Sequence, residues 1–339
     1  MTRILVLLAA AACPLGSQAP AVGEINLYGL HKISPDRILA VLNLEPGRPL
    51  PPSKGDMEDT LEKLPGVTLA RVEAVCCDGS RAILFVGLEE KGAPHAAFHS
   101  PPSGDAALPS DLVQSYRGFL DAVQRAVVRG NAAEDLTAGH PLMSDPDARA
   151  FQDRFVSFAE ANLPLLRDVL RNAPEPEERA IAAAVIGYAP AKPPILDDLQ
   201  YALQDPEESV RANAARSLKA IAVLASKQPA LGIRISPTWL IELLNSVVLT
   251  DRVEAVNVLL ALTDNAGASV LQQIRQRALP PLEEMARWNT PRYALPPFLL
   301  LGRLAGLPDA QVQQLWEKGD RQAVIEKARA PAGKRPRLQ

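Results

Sequence analysis

The chain has 339 residues, a formal net charge of −3 and an apolar fraction of 47%. Such a chain buries a substantial core, which excludes wholesale disorder and leaves room for two or three domains. Aromatic residues make up only 4% of the chain while alanine and leucine are abundant, which favours close-packed helices over a β-sandwich. The slightly acidic balance gives no overall attraction to nucleic acid, so no nucleic-acid partner is predicted.

Residues 1–21 are predicted to be a signal peptide that takes no part in the fold. Arg3 supplies a positive start, and an uninterrupted apolar run follows from Ile4 to Ala12. This run is too short to cross a hydrocarbon layer of about 30 Å, which argues for an export signal and against a membrane anchor. The protein is therefore expected to be exported.

Two processing routes for this signal stay open. Ala19-Pro20-Ala21 fits ordinary cleavage before Val22, which would release a soluble periplasmic protein. Ala10-Ala11-Ala12-Cys13 resembles a bacterial lipobox, which would put a lipid on Cys13 and anchor the protein in the cell envelope. A membrane contact is predicted only through that lipid.

Residues 22–91 are predicted to form a compact α+β domain in the order strand, helix, helix, strand, strand. Alternation at Ile25 and Leu27 indicates the first strand, and Ser34 and Ser53 are helix-start residues. Two further strands flank the turn Cys77-Asp78-Gly79-Ser80 as a hairpin. The first helix is predicted to bury Ile38, Leu39, Val41 and Leu42 and to close at Gly47.

This order of elements resembles the POTRA domain (polypeptide-transport-associated domain). The residues that carry the resemblance are Ile25-x-x-x-Gly29 at the start, Gly47 between the helices, Gly66 before the hairpin and Glu89 at the end of the last strand. The resemblance implies an envelope protein whose exposed sheet edge pairs with extended client segments. The alternative is a small α+β spacer.

Residues 92–109 are predicted to be a linker, because Pro94, Pro101, Pro102 and Pro109 interrupt every periodic pattern. Residues 110–164 are predicted to be an N-terminal helical cap. Its helices start at Pro109-Ser110-Asp111 and at Ser144-Asp145-Pro146, and Leu163-Pro164 predicts either a kink or a restart of the helix.

Helical pairs repeat over residues 165–305. Leu166 to Ala189 matches Leu199 to Ala222 in outline, and Trp239 to Leu262, with a turn at Thr250-Asp251, and Leu279 to Leu304 give two further copies. One arginine begins the second helix of each copy, at intervals of roughly 32 to 41 residues, which is typical of two-helix solenoid repeats. These are Arg179, Arg211, Arg252 and Arg292.

The second copy carries the clearest family resemblance. Asp205 followed by Val210-Arg211 and Ala214 closely resembles the HEAT-repeat consensus. The predicted fold class is therefore multidomain, with a small α+β (POTRA-like) domain followed by an all-α HEAT-like solenoid in which stacked pairs complete one another's core. The repeat arginines are predicted to form a ladder with acidic groups at the turn of an adjacent repeat; the alternative is that they line an anion site.

Residues 306–330 are predicted to be C-terminal capping helices. Residues 331–339 contain Lys334-Arg335-Pro336-Arg337 and are predicted to be a disordered, solvated basic tail. The alternative for this tail is contact with anionic lipid or RNA.

No catalytic residue, cofactor or metal site is predicted. His95 and His99 have the spacing of two ligands on a helix, but the neighbouring prolines argue against a helix there. Cys76 and Cys77 would point to opposite faces of a strand, which argues against an unstrained disulfide between them. His140 precedes a proline in a loop and is interpreted as a surface residue.

The leading functional hypothesis is a non-enzymatic protein-binding or scaffold protein of the bacterial cell envelope, with a protein partner of unknown identity. Partner-binding residues are predicted on the second helices, at Asn213, Arg216, Lys219 and Asn257. The alternative is an enzyme or ligand-processing protein on a HEAT-like solenoid, as in bilin lyases. A third reading is a purely structural spacer.

Overall fold

A computed structural model describes residues 20–78, 81–264 and 267–330. The leader with Cys13, the hairpin residues Gly79 and Ser80, and the basic tail at 331–339 lie outside these described residues. The described chain divides into two compact units. We call residues 97–239 the middle unit, and residues 20–96 together with 240–330 the composite unit.

The composite unit begins with an α+β domain that has the predicted order of elements. These are β1 (Ala21–Tyr28), α1 (Pro35–Leu42), α2 (Lys54–Glu62), β2 (Val67–Asp78) and β3 (Arg81–Glu90). The central strand is β3, which runs parallel to β1 and antiparallel to β2. Tyr28 pairs with Gly87 across the parallel ladder, and Val72 pairs with Val86 across the antiparallel one.

Local signals explain both helices of this domain. Ser53 accepts a hydrogen bond from the Asp56 backbone N–H at 3.0 Å, as its predicted capping role requires. The prediction that Gly47 closes α1 is wrong, because Asn43 adopts the left-handed conformation and ends the helix at Leu42. Val41 is also more exposed than predicted, at 38%, because it borders an open surface groove beside Pro51 and Pro52.

The sheet is covered on both faces. One face packs on α1 and α2, where Ile38, Leu61 and Leu84 are fully buried. Every residue of β3 from Ala82 to Leu88 is buried, including those that point away from α1 and α2. A continuous apolar run of this kind is typical of a strand that is packed on both sides.

The middle unit is built from helical pairs and a short hairpin. Its elements are α3 (Ser110–Val128), β4 (Glu134–Asp135), β5 (Leu142–Met143), α4 (Pro146–Asn172), α5 (Pro176–Ile186), α6 (Leu196–Ala202) and α7 (Glu208–Lys227), with short 3₁₀ turns at Pro193–Ile195 and Pro229–Leu231. Helix α4 pairs with α5, α6 pairs with α7, and α5 packs on α7. Asn162 leaves helical geometry two residues before Pro164, so the predicted kink is present.

The remaining helices follow in the last third of the chain. They are α8 (Thr238–Leu243), α9 (Leu249–Leu262), α10 (Ala268–Arg277), α11 (Leu279–Ala286), α12 (Pro291–Leu304), α13 (Asp309–Glu317) and α14 (Arg321–Arg329). Helix α12 packs against α9, α11 and α14. The turn predicted at Thr250-Asp251 is wrong, because Ser246 accepts the Val248 N–H at 3.1 Å and α9 has begun by Leu249. The fold class is confirmed: a small α+β domain precedes a long run of helices.

Residues 97–109, which we call the strap, lie along the helices of the middle unit. The His99 N–H donates to the Gln204 carbonyl at 2.7 Å, and the Leu108 N–H donates to Glu178 at 2.7 Å. Leu108 is buried, and the Phe98 ring lies 4.0 Å from the Arg211 guanidinium. Residues 92–109, predicted to be a linker, contain no helix or strand, and the strap portion of this segment is held against the helices. These two backbone N–H groups are hydrogen-bonded to acceptors on the helices, which holds the proline-rich strap against them.

Candidate functional site

Arg179 joins two neighbouring repeats in the middle unit. Its Nε and Nη2 donate to the two carboxylate oxygens of Asp205 at 2.8 and 3.0 Å. Its Nη1 donates to the carbonyls of Ala173 and Pro174, both at 3.0 Å. The two side chains are only 1% and 4% exposed. This buried bidentate pair ties the second helix of one repeat to the turn of the next.

The other repeat arginines differ in what they contact. Arg211 is buried and donates to the carbonyls of Asp205 and Pro206 at 2.8 and 3.0 Å. Arg292 lies on the surface, with its guanidinium 5.7 Å from the centre of the Tyr293 ring. The recurrence of an arginine at the start of each second helix therefore does not give these arginines equal environments.

Arg252 joins three parts of the composite unit. Its Nε donates to the Ser246 carbonyl at 2.6 Å, and its Nη1 donates to Glu284 at 2.8 Å. Its guanidinium lies 4.7 Å from the ring centre of Tyr28, which is on β1. Glu284 also accepts the Gly29 N–H at 3.0 Å. Burial raises the pKa of the Glu284 carboxyl, against the opposing influence of Arg252 and of the Gly29 N–H.

Four buried aromatic rings connect the sheet to the C-terminal helices. We call them the aromatic seam: Tyr28, Phe85, Trp288 and Tyr293. Phe85 lies 5.1 Å from Trp288 and 4.9 Å from Tyr293, both in edge-to-face geometry, and Tyr28 lies 5.9 Å from Trp288. The Tyr28 hydroxyl donates to the Val247 carbonyl at 2.8 Å, and burial strongly raises its pKa. Gly87 makes room for this arrangement, since a Cβ there would lie 2.4 Å from the Tyr28 ring.

Glu24 on β1 caps the start of α12. Its carboxylate accepts the N–H groups of Asn289 and Thr290 at 3.0 and 3.2 Å and the Thr290 hydroxyl at 2.8 Å. A carboxylate at a helix N-terminus satisfies free donors and complements the helix dipole. Strand β1 therefore completes helix α12 across a sequence separation of 265 residues.

The residues predicted to bind a partner fall into two groups. The Asn213 amide donates to the Ala180 carbonyl at 2.8 Å and to the Tyr116 hydroxyl at 3.2 Å, so α3 lies on this face. Arg216 forms an ion pair with Glu134 of β4. Lys219 and Asn257 are half-buried. In the middle unit, other segments of the chain thus contact part of the face formed by the second helices.

A buried lysine holds the segment between α3 and α4 in place. Lys192 is 3% exposed, and its Nζ donates to the carbonyls of Gly187 and Ala189, both at 2.8 Å. The same Nζ lies 3.3 Å from His140 Nδ1. Burial lowers the pKa of Lys192 to about 8; burial and the adjacent Lys192 lower the pKa of His140 to about 4. His140 is therefore half-buried against the repeats and is not the surface residue that the sequence predicted.

We expect this histidine to make the middle unit sensitive to acid. As the pH falls below 6.5, the ordinary pKa of histidine, His140 becomes protonated in the unfolded chain but stays neutral in the folded chain. The free energy of unfolding therefore decreases as the pH falls, until the pH drops below about 4, the pKa of His140 in the folded chain. Allowing for its partial exposure, the loss attributable to His140 is about 1–2 kcal/mol. His140→Asn keeps an acceptor for Lys192 and removes the titrating imidazole. Acidification from pH 6.5 to about 4 should therefore lower the free energy of unfolding of the variant less than that of wild type.

Urea unfolding of both proteins near neutral pH and at about pH 4.5 measures this difference. His95→Asn, at an exposed histidine, is the matched control and should follow wild type. Equal acid sensitivity of wild type and His140→Asn would contradict the assignment.

The other groups with chemical potential are dispersed. The His99 ring lies 4.5 Å from the Tyr201 ring, and His95 is exposed. Cys76 is exposed and disulfide-bonded, and its partner lies outside the described side chains. The argument against a bond between Cys76 and Cys77 therefore stays a prediction. Among the described residues, no cluster of histidine, cysteine or carboxylate side chains is arranged to hold a metal ion. None of the described helices combines the length and the apolar character needed to cross a membrane.

Sequence reasoning missed the aromatic seam, although one signal for it was present. The apolar run of β3 has no polar alternation, which indicates that both faces of the sheet are buried. The partners of the second face are hundreds of residues away, and no local pattern points to Trp288 or Tyr293. The strap and helix α10 were missed as well.

Comparison with known protein families matches residues 163–232 to a family model described as HEAT repeats. The match spans the end of α4, α5, α6 and α7, which includes the pair between Arg179 and Asp205. No curated protein matches the chain. The resemblance of residues 22–91 to the POTRA domain stays a prediction. Over its two stacked helical pairs, the middle unit is therefore similar to HEAT repeats.

Proposed function

We propose that the protein is a non-enzymatic scaffold of the bacterial cell envelope that binds a protein partner through its helical repeats. The observation that carries this proposal is the HEAT-repeat match over residues 163–232. Stacked helical pairs present rows of side chains on consecutive helices, and this surface suits protein recognition. The fold alone is an analogy, so the contact surface has to come from the residues themselves.

The partner surface that we propose lies on α9 and α12 of the composite unit, which the sequence predicts to be the second helices of further repeats and which follow the matched residues 163–232. Helix α9 keeps Asn257 and Leu260 half-exposed, and α12 keeps Leu295 and Leu299 half-exposed. In the middle unit the corresponding face is partly engaged by α3 and β4. Half-exposed leucines beside an amide have the mixed character of the centre of a protein interface. Of the four partner residues predicted from the sequence, Asn257 is thus the one that the proposal keeps at its centre.

Site-specific photo-crosslinking in cells tests this surface. A photoreactive amino acid at position 257 or 299 should give a discrete adduct with one protein partner. The same amino acid in place of Asp59, an exposed residue of α2, is the control and should give no such adduct. Absence of any adduct from positions 257 and 299, in both the soluble and the membrane fraction, would contradict the proposal.

In this proposal the α+β domain serves as a rigid mount for the repeats. Part of the outer edge of β2 is bonded to its own helix: the Ala70 N–H donates to Glu62 at 3.0 Å and the Val72 N–H donates to Glu58 at 2.8 Å. These donors are therefore engaged and not offered to an extended client segment. The seam and the Glu24 cap instead fix the sheet to α12 and its neighbours.

We also propose that the protein is anchored by a lipid on Cys13. The support comes from the start of β1. Val22 is fully buried, its N–H donates to the Arg48 carbonyl at 2.7 Å, and the Pro20 carbonyl accepts the Leu50 N–H at 2.8 Å. Cleavage before Val22 would remove Pro20 and leave a charged amine at a buried position, which is costly. Cleavage before Cys13 would keep Pro20 and the whole of β1 intact.

Mass spectrometry of the mature N-terminus decides between the two routes. We expect the mature chain to begin upstream of Pro20, at Cys13, and that residue to carry the additional mass of acyl chains. The protein should accordingly partition with membranes and become soluble when Cys13→Ser blocks lipidation. A mature chain that begins at Val22 would contradict this part of the proposal.

A further inference from the structure

The strap contacts the turns of two consecutive helical pairs in the middle unit. Near its start, the His99 N–H donates at 2.7 Å to the Gln204 carbonyl, just after α6. Near its end, the Leu108 N–H donates at 2.7 Å to Glu178, in the first turn of α5. The strap therefore crosses from the turn between α6 and α7 to the turn between α4 and α5. We call the surface beneath it the turn edge, formed by Asn172, Glu178, Tyr201, Gln204 and Arg211.

Two side chains anchor the strap on the turn edge, one near each end. The Phe98 ring lies 4.0 Å from the Arg211 guanidinium, which is a cation–π contact. Leu108 is buried against the helices. The His99 ring adds a contact with the Tyr201 ring at 4.5 Å. An extended segment with a few anchoring side chains and main-chain hydrogen bonds has the features of a bound peptide.

A glycine is required where the strap passes the end of α4. A Cβ at Gly104 would lie 2.6 Å from the Asn172 carbonyl oxygen, a backbone atom that cannot swing aside. Any other residue would push the strap away from the helix end at this point. The turn edge therefore selects three positions of the strap: the aromatic Phe98, a glycine six residues later and Leu108 four residues after the glycine.

Few other contacts hold the strap in place. Leu108 is the only buried residue among 97–109, all of which the structure describes. Phe98 keeps 37% of its surface exposed. Segments with few buried apolar contacts open locally at a lower free energy than the fold as a whole. When the strap opens, the groups of the turn edge that it contacts become accessible to another segment.

We propose that the turn edge is a peptide-binding site, that the strap is its internal occupant, and that an extended segment of another protein competes with the strap. This segment places an aromatic residue over Arg211, a glycine at Asn172 and an aliphatic residue where Leu108 lies. The strap inhibits its binding, because a tethered competitor acts at a high effective concentration. The turn edge does not include α9 or α12, so this proposal and the partner surface proposed above can fail independently.

Fluorescence anisotropy with a labelled peptide of residues 97–109 tests this proposal on the full chain. Phe98→Ser combined with Leu108→Ser removes both anchors of the strap from the protein, while the peptide keeps them. We expect this double variant to bind the peptide at least about 10-fold more tightly than wild type does. Asp105→Ser in the protein, at an exposed strap residue, is the matched control and should bind the peptide as wild type does.

Two altered peptides test whether the turn edge selects the sequence. The Gly104→Val peptide should bind the double variant at least about 10-fold more weakly than the parent peptide, because its side chain meets the Asn172 carbonyl. The Asp105→Ser peptide should bind as the parent does, because Asp105 is exposed in the strap.

Circular dichroism verifies that the double variant is folded. If it does not fold, Gly104→Val in the protein takes its place, because it displaces the strap and keeps both anchors. The proposal is overturned if the protein with the released strap binds the peptide no more tightly than wild type, or shows no binding at about 1 mM peptide. Equal affinities of the parent and Gly104→Val peptides would also overturn it, because the turn edge would then not select the strap sequence.

Discussion

Replacing Arg179 by methionine is expected to lower the free energy of unfolding of the middle unit by about 3–5 kcal/mol. The substitution keeps much of the apolar volume but leaves the Asp205 carboxylate buried, at 4% exposure, without its cation. It also leaves the Ala173 and Pro174 carbonyls without the N–H groups that they accept from Arg179. Chemical unfolding followed by circular dichroism measures the loss.

Two further variants separate the burial of this pair from its charge. Arg179→Met combined with Asp205→Asn should recover part of the loss, because asparagine is neutral and can still accept the Glu207 N–H that Asp205 accepts at 2.8 Å. Arg117→Met breaks an exposed bidentate pair with Glu177 and should change stability little. If Arg179→Met and Arg117→Met had equal effects, the buried pair would not be what holds the repeats together.

Phe85→Ala is expected to destabilise the composite unit by about 3–5 kcal/mol, the usual cost of deleting a buried aromatic ring. Phe85 is fully buried and contacts both Trp288 and Tyr293, so its loss opens a cavity between β3 and the C-terminal helices. Amide hydrogen exchange should therefore become faster in α11 and α12 as well as in β3.

Val86→Ala is the matched control for this experiment. Val86 is the next residue of the same strand, but it packs in the core with α1 and α2. Its truncation should also destabilise the protein, while the added exchange appears in α1 and α2 and not in α11 and α12. If both variants gave the same exchange pattern, the seam would not be a separate connection between the sheet and the repeats.

Features that depend on neighbours in sequence were predictable. Ser53 caps α2 and Asp145 caps α4 because a short polar side chain reaches the N–H groups two or three residues ahead. The kink before Pro164 follows from the missing N–H and the bulk of the proline ring. The order of strands and helices in residues 22–91 follows from apolar periodicities of two and of about four residues.

Features that depend on distant partners were not predictable from a single sequence. The contact of Tyr28 with Trp288 and the hydrogen bond of Thr290 to Glu24 form only when segments that are far apart in sequence pack together. The repeat arginines show the same limit. Arg179 binds Asp205, a carboxylate at the turn of the next repeat. At the start of α12 the carboxylate is that of Glu24 on β1, and Arg292 is exposed on the surface. Repeat spacing predicts the position of a side chain but not what surrounds it.

The capping of α12 by Glu24 has a consequence for how the protein is made. Glu24 leaves the ribosome 265 residues before Asn289, the first residue whose N–H it accepts. The sheet that carries Glu24 is therefore complete early in synthesis, with the outward face of Phe85 still uncovered. Contacts between residues this far apart in sequence slow folding and favour intermediates with exposed apolar surface, which are prone to aggregate. The outward face of Phe85 is therefore covered only after Trp288 and Tyr293 have been translated, and a product truncated before them would leave that face exposed.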